Sequence, residues 1–388
     1  MAEVKRLEDA HIVFLYTNIG RGHPHYLDGL VESFSGRYPG KNYFITNIFE
    51  ISRGLARFLW KLIAQVYRIG SQGGVISQIY SMMRRISGNH NRKSFLASLL
   101  GRDIRSYFKK YKGLIVVAHP LLAQMLTDRN RVIYQHGELI CPQEARVSGC
   151  HRVFVPLEQT AGYFMAGGEK RENLVVTGQG IENEIIPFIE SGYHKRLERY
   201  QKSDRLVVAL FSSGANPGIH IKKLQLAARS LIDAGFEVIV FPGPSQSIQQ
   251  RWQRLFGECE GRMTIIVANS RAEENRQLGK AWERLDIFMA PAHERTNWAV
   301  AAGLPMFILT PHIGTFASLN ASIACEKMTA MELGKREDIK GIARDIEKLR
   351  ESGDLTKMAV NGYYPELIAG FNNGAEFLYE LLQNGPDF

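Results

Sequence analysis

Short, continuously apolar runs recur along this chain, separated by helical patterns. HIVFLYT (11–17) comes first, followed by NYFITNIF (42–49), GLIVVAH (113–119), RVIYQ (131–135), RVFVP (152–156) and NLVVT (173–177). A strand with one wet face alternates apolar and polar residues. A run without alternation is covered on both faces, as in a parallel sheet between helices. Alternation of such strands with helices builds βαβ units with right-handed crossovers. The pattern lapses after Gly180, where residues 187–204 are polar, charged and free of strand runs. It restarts with RLVVALF (205–211), FEVIVF (236–241), MTIIVA (263–268), DIFMA (286–290) and PMFIL (305–309). The expected fold is α/β, with two doubly wound, Rossmann-like domains facing a cleft. The expected boundaries are 1–187, a linker at 188–204, and 205–363. A helical C-terminal segment, 364–388, is expected to cross back onto the first domain. A length of 388 residues suits two domains.

Charge is distributed unevenly. Residues 52–112 carry Arg53, Arg57, Lys61, Arg68, Arg84, Arg85, Arg92, Lys93, Arg102, Arg105, Lys109, Lys110 and Lys112 against a single acid, Asp103. That block exceeds the whole net charge of +9, so the remainder is slightly acidic. Such a block points to an anionic partner: lipid headgroups, nucleic acid or a phosphorylated substrate. At 100° per residue, Arg53, Arg57, Lys61 and Arg68 share one narrow arc of a helix over 51–69. Leu55, Phe58, Trp60, Leu62, Val66 and Ile69 take the broad opposite arc. This basic amphipathic pattern, with Trp60 on its apolar side, reads as an interfacial helix, and Arg84 and Arg85 extend its basic region. No nucleic-acid motif accompanies the block, so a nucleic-acid partner is not expected. No apolar run approaches the length of a membrane span, and the N-terminus MAEVKRLEDA has no signal-peptide core. Cys141, Cys150, Cys259 and Cys325 have neither zinc-site nor disulfide-framework spacing. The expected setting is the cytoplasm, peripheral at the inner face of a membrane.

Three loops carry candidate chemistry. Asn18-Ile19-Gly20-Arg21-Gly22-His23-Pro24 follows the first strand and opens a helix, where glycine lets backbone approach a ligand and the helix start favours anions. Ser212-Ser213-Gly214-Ala215-Asn216-Pro217-Gly218 occupies the matching turn of the second half, and its hydroxyls and amides suit a pyrophosphate. His293-Glu294-Arg295-Thr296-Asn297 enters a small-residue helix that ends at Gly303 before Pro305, and Gly314-Thr315 follows the next strand. No Asp-x-Asp, P-loop or nucleophile elbow occurs, and no metal or cofactor is expected.

The succession Gly20-Arg21-Gly22-His23, Gln135-His136-Gly137-Glu138, Val176-Thr177-Gly178-Gln179-Gly180, Ser213-Gly214 and Ala301-Ala302-Gly303-Leu304-Pro305 with Asn320-Ala321 resembles the glycosyltransferase B fold. Within it, the chain is similar to the group of monogalactosyldiacylglycerol synthases, processive diacylglycerol glucosyltransferases and the peptidoglycan lipid-linked N-acetylglucosaminyltransferase. The resemblance implies an N-terminal acceptor domain, a C-terminal donor domain and a nucleotide-sugar co-substrate. It places His23 near the reaction centre and His293, Glu294, Thr296 and Asn297 at the donor. The chain departs from the family pattern at Trp298, where a ribose-binding Glu is usual, and at Ala317, where a Gln is frequent. The family's catalytic acid is represented by His136 or Glu138.

The implied activity is inverting, metal-independent transfer from a nucleotide-sugar, a UDP-sugar, to a lipid or membrane-associated acceptor. His23 or Glu138 serves as base, and Ser212, Ser213, Gly214, Asn216 and Arg295 meet the leaving diphosphate. Two alternatives fit the same residues: a nucleotide-sugar epimerase or hydrolase, and a degenerate member that binds without turnover.

Overall fold

The computed structural model describes residues 3–17, 19, 22–70, 95–202, 204–257, 259, 261–334 and 339–384. Asn18, Gly20, Arg21, Arg84, Arg85, Arg92 and Lys93 lie outside the described residues. The chain forms two compact units, Met1–Gly180 with Ala369–Phe388, and Ile181–Ile368.

The first unit runs β1 (Ile12–Tyr16), α1 (Gly22–Arg37), β2 (Tyr43–Asn47), α2 (Ile48–Ile51), α3 (Gly54–Gly70), α4 (Phe95–Tyr107), β3 (Leu114–Val117), α5 (Pro120–Leu126), β4 (Arg131–Gln135), β5 (Arg152–Val155), α6 (Glu158–Met165) and β6 (Leu174–Val176). Its six strands are parallel in the order β2-β1-β3-β4-β5-β6. The central strands are buried along all but an end residue of β1 and β4, as their unbroken apolar character requires.

The second unit runs α7 (Ile189–Gln201), β7 (Val207–Phe211), α8 (Gly218–Asp233), β8 (Glu237–Phe241), α9 (Gln246–Phe256), β9 (Met263–Ile265), α10 (Arg271–Ala281), β10 (Ile287–Ala290), α11 (Thr296–Ala301), β11 (Met306–Leu309), α12 (Thr315–Glu326), β12 (Ala330–Leu333), α13 (Ile342–Glu351) and α14 (Asp354–Asn361). Its sheet is parallel in the order β12-β11-β10-β7-β8-β9. Two doubly wound sheets are the expected architecture.

The expected linker differs. Residues 189–201 form α7, which packs into the second unit. Arg196 is fully buried and donates from Nε to the Leu285 carbonyl at 2.9 Å and from Nη1 to the Gly303 carbonyl at 2.8 Å. Arg199 pairs with the buried Asp286 at 2.7 Å, and Asp286 also accepts from the Val207 amide at 2.8 Å. Polar composition read as solvation here because these side chains find buried partners far away in sequence. The boundary between units falls at 180/181 rather than near 187.

The last helix, α15 (Gly370–Gln383), belongs to the first unit. Phe371, Ala375, Leu378 and Leu381 recur at helical spacing and are buried in its core with Phe14, Leu30 and Phe34. A Cβ at Gly29 of α1 would collide with the Phe371 ring, so glycine sets the close approach of α1 to α15.

Candidate functional site

All strands of a parallel sheet end at one edge, so the segments after neighbouring central strands meet there. In the first unit these are the segments after β1, β3 and β4. His23 is the second residue of α1, and His119 sits at the N-cap of α5. Their ring centroids are 4.7 Å apart, tilted by 58°. Glu138 follows β4. A Cβ at Gly22 would stand 3.9 Å from Glu138 Oε1, so this carboxylate borders the first turn of α1. Gly137 secures that placement, because any side chain there would enter the Tyr26 ring beneath it. His23, His119 and Glu138 are all partly exposed.

The hydrogen bonds fix two tautomers. His119 Nδ1 accepts from the Leu121 amide at 3.3 Å, which leaves the neutral ring protonated at Nε2. His136 Nε2 lies 3.1 Å from the Ile140 carbonyl oxygen, an acceptor only, so Nε2 carries that proton. Its Nδ1 faces the Tyr134 hydroxyl at 3.3 Å. Burial pushes the His136 pKa down to about 4; the Ile140 carbonyl opposes this, and nearby His23 adds to it. His136 is therefore buried and neutral, whereas Glu138 is partly exposed. His119 was not among the sequence candidates. Its signal was present: a histidine closing an apolar strand directly before a proline that opens a helix.

In the second unit the corresponding segments follow β7, β10 and β11. Ser212 directly follows β7, Thr296 opens α11 and Thr315 opens α12. Ser212 Oγ, Thr296 Oγ1 and Thr315 Oγ1 are buried without a hydrogen-bond partner among the described residues. Buried hydroxyls are usually paired, so three at one sheet edge without a protein partner make this edge the candidate binding region of the second unit. Ser213, Gly214 and Asn216 form a tight turn in which the Asn216 amide donates to Ser213 O at 2.9 Å and Asn216 has φ 49°. Gly314 precedes α12 with φ 87°. The starts of α8 and α12 present backbone amides of the kind that favour anions.

Side chains tie these loops together. His220 on α8 approaches the Pro311 carbonyl at 3.0 Å, and Lys223 donates to Thr310 Oγ1 at 3.3 Å. Arg295 lies 4.7 Å over the Phe211 ring and pairs with Glu274 at 2.8 Å. Arg271 bridges Glu182 and Glu294, each at 3.6 Å. Burial lowers the His220 pKa to about 4, with His293, Lys223 and His312 contributing. Burial likewise lowers that of His293, against the pull of Glu294. Asn297 is buried beside Thr296.

Trp298, at the position of the family's ribose-binding acid, is fully buried. Its Nε1 donates to Glu182 at 2.8 Å and its ring meets Phe211 and Trp282 edge-on. Among the described residues no group of three or more His, Cys, Asp or Glu is arranged to hold a metal ion.

The basic amphipathic segment begins as helix at Gly54, after Arg53, whose amide donates to Asp103 at 2.7 Å. Trp60, expected at the interface, is instead fully buried, with Nε1 donating to the Leu100 carbonyl at 3.3 Å. It anchors α3 on α4, so the apolar arc splits into an inward part and an outward part. Leu55, Phe58, Leu62, Val66 and Ile69 form the outward stripe, each between 42 and 61% exposed. Arg57, Lys61 and Arg68 are exposed alongside. No described helix is long and apolar enough to cross a membrane.

No protein-family model matches the chain. No curated protein matches it. Solved structures do. The chain is similar to UDP-GlcNAc 2-epimerase from Neisseria meningitidis bound to UDP-GlcNAc, with TM-score 0.58, 12% identity, and 96% of this chain and 100% of that chain covered. It is similar to MurG of Acinetobacter baumannii, with TM-score 0.55, 14% identity and coverage of 95% and 99%. It is also similar to S. aureus MnaA in a co-structure with UDP, with TM-score 0.55, 12% identity and coverage of 95% and 94%. At these identities the likeness is one of fold: the glycosyltransferase B architecture extends along nearly the whole chain.

Proposed function

We propose that the protein is a glycosyltransferase that takes a sugar from a UDP-sugar held by the second unit and passes it to an acceptor at a membrane surface. The observation that carries the donor assignment is the trio of buried, unpartnered hydroxyls, Ser212, Thr296 and Thr315. A diphosphate offers several acceptor oxygens to such donors and to the amides opening α8 and α12. In this reading Arg295, held by Glu274, adds positive potential beside them.

The first unit supplies the base. An acceptor hydroxyl attacks the anomeric carbon, the bond to the nucleoside diphosphate breaks, and the hydroxyl proton passes to His23 or Glu138. His119, with its Nε2 protonated, stands beside His23. No metal step is needed where fixed donors stabilise the leaving group. The membrane-associated acceptor rests on the exposed stripe of α3 flanked by Arg57, Lys61 and Arg68.

A second reading is a nucleotide-sugar epimerase or hydrolase, favoured by the recurrence of UDP-GlcNAc 2-epimerases among the similar folds. Product analysis separates the two. The protein is incubated with UDP-sugars, with and without extracted membrane lipids. UDP release that depends on lipid, with a new glycolipid, supports transfer. An epimerised nucleotide-sugar or free sugar without lipid supports the second reading. Binding without any product leaves a ligand-binding protein.

A further inference from the structure

A concavity of about 460 Å³ opens on the first unit between α4 and the turn that leads from α5 into β4. Arg102, Arg105, Lys109 and Arg129 line it, with Ser98 and Ser106. Lys109 and Arg129 precede β3 and β4, at the edge where the strands begin. His119 and Glu138 follow the same strands, at the edge where they end. The concavity is therefore separate from the candidate catalytic edge.

Three features show that it is built. Arg105 folds back along α4 and donates from Nη2 to the Ser98 carbonyl at 2.6 Å. A Cβ at Gly101 would come within 2.6 Å of Arg105 Nη1, so glycine leaves the room that the guanidinium occupies. Asn130 donates from Nδ2 to the Phe108 carbonyl at 3.1 Å and the Tyr111 carbonyl at 3.3 Å, which holds Arg129 against the end of α4. Among the described residues, none of the four cations forms an ion pair, and Asp103 of α4 is engaged by the Arg53 amide. The partial negative charge at the end of α4 accounts for a cation in its last turn. It does not account for Arg102 and Arg129, which come from a mid-helix position and from another element. Four like charges repel one another unless an anion lies between them.

We propose that this concavity binds a phosphate-bearing ligand larger than a single phosphate ion, of the glycerophosphate class. The source is either the headgroup of an anionic phospholipid or a soluble phosphate ester. The proposal is independent of the nucleotide-sugar reading.

The test uses the full chain and two probes: sn-glycerol 3-phosphate by titration calorimetry, and sedimentation with vesicles of equimolar phosphatidylcholine and phosphatidylglycerol, against phosphatidylcholine alone. The variant is Arg102→Gln/Lys109→Gln/Arg129→Gln, all exposed positions. Its control, Lys5→Gln/Arg37→Gln/Lys112→Gln, removes the same charge elsewhere on the unit. Gly101→Ala, which displaces Arg105, is a second variant. The site variant should weaken binding about a hundredfold, since each of its three cations near an anionic surface contributes about fivefold. Gly101→Ala should weaken it too, and the control should change it little. Binding of the soluble probe identifies a soluble ester, whereas vesicle binding that the site variant loses and the control retains, with no binding of the soluble probe, identifies a lipid headgroup. Phe58→Ser/Leu62→Ser on α3 should lose vesicles and retain glycerol 3-phosphate, which separates this site from the interfacial helix. The proposal is overturned if wild type binds neither probe, or if site and control variants lose binding equally.

Discussion

The His23 ring lies tilted against the His119 ring at a centroid distance of 4.7 Å, and His119 is held in that pose by the hydrogen bond from the Leu121 amide to its Nδ1. One histidine caps a helix and presents a protonated Nε2 beside the other. His23→Ala should lower turnover by ~10²–10⁴-fold if His23 is the base, with donor affinity little changed. Unchanged turnover with a competent acceptor would leave Glu138 as the base. His119→Asn preserves a capping acceptor and should keep the melting temperature, while His119→Ala should cost ~1 kcal/mol of stability.

Thr296 Oγ1 is buried without a protein partner. Replacing it by a methyl removes an unpaired polar atom from the interior, so Thr296→Val should leave the ligand-free protein as stable or up to ~1 kcal/mol more stable. Nucleotide affinity should fall by about tenfold. A destabilised variant with unchanged affinity would show that the hydroxyl serves the fold and not a ligand.

Arg196 is the fully buried cation of α7, bonded to the carbonyls of Leu285 and Gly303. Arg196→Met strands both carbonyls and should cost roughly 2–4 kcal/mol, read as a lower midpoint in urea unfolding. A change under ~0.5 kcal/mol, typical of surface positions, would mean that this segment behaves as a linker after all.

This helix also shows where the sequence stops being legible. Continuous apolar runs announced every strand but one, because burial on two faces leaves a clear signature in β1, β3, β4, β7 and β10; the edge strand β12, AMEL with Met331 and Glu332 exposed, carries no such run. Glycine before a helix announced the loops. Polar residues gave no comparable signal: Arg196 and Asp286 are buried because each finds partners about ninety residues away, and no local pattern encodes that. Trp60 failed for a related reason. An apolar arc does not reveal which part faces protein and which faces outward, and only the contact with Leu100 decides. The candidate sites divided similarly. His23, Ser212, Thr296 and Thr315 were readable from position after a strand, whereas His119 and the neutral state of His136 depend on tertiary hydrogen bonds.

Burial depresses the folded pKa of both His136 and His220 to about 4, below the ordinary value of 6.5. A depressed folded pKa means that the unfolded chain binds the proton first. Their contribution is fully present above about pH 6.5 and is lost as pH falls from there towards 4. Each contributes about 3 kcal/mol across that window. Urea midpoints should therefore drop between pH 6.5 and 4, and His136→Gln/His220→Gln should flatten that dependence. An equally steep decline in the double variant would assign it to other groups.

Exposed apolar residues and cations alternate along α3, so Arg53→Glu/Arg57→Glu/Lys61→Glu should abolish sedimentation with anionic vesicles at low salt, each cation near the surface contributing ~1 kcal/mol. The fold should survive, because all three side chains are exposed. Wild type that ignores anionic vesicles at low salt would remove the interfacial role.

The assignment of a nucleotide-sugar to the second unit is tested most directly by thermal unfolding in the presence of UDP and UDP-sugars, with Thr296→Val and Ser212→Ala measured alongside. At a hundred times its dissociation constant a specific ligand should stabilise the wild type by ~2.7 kcal/mol. The account predicts an upward shift with UDP or a UDP-sugar that shrinks in both variants. No shift with any nucleotide, or a shift of the same size in both variants, would contradict it.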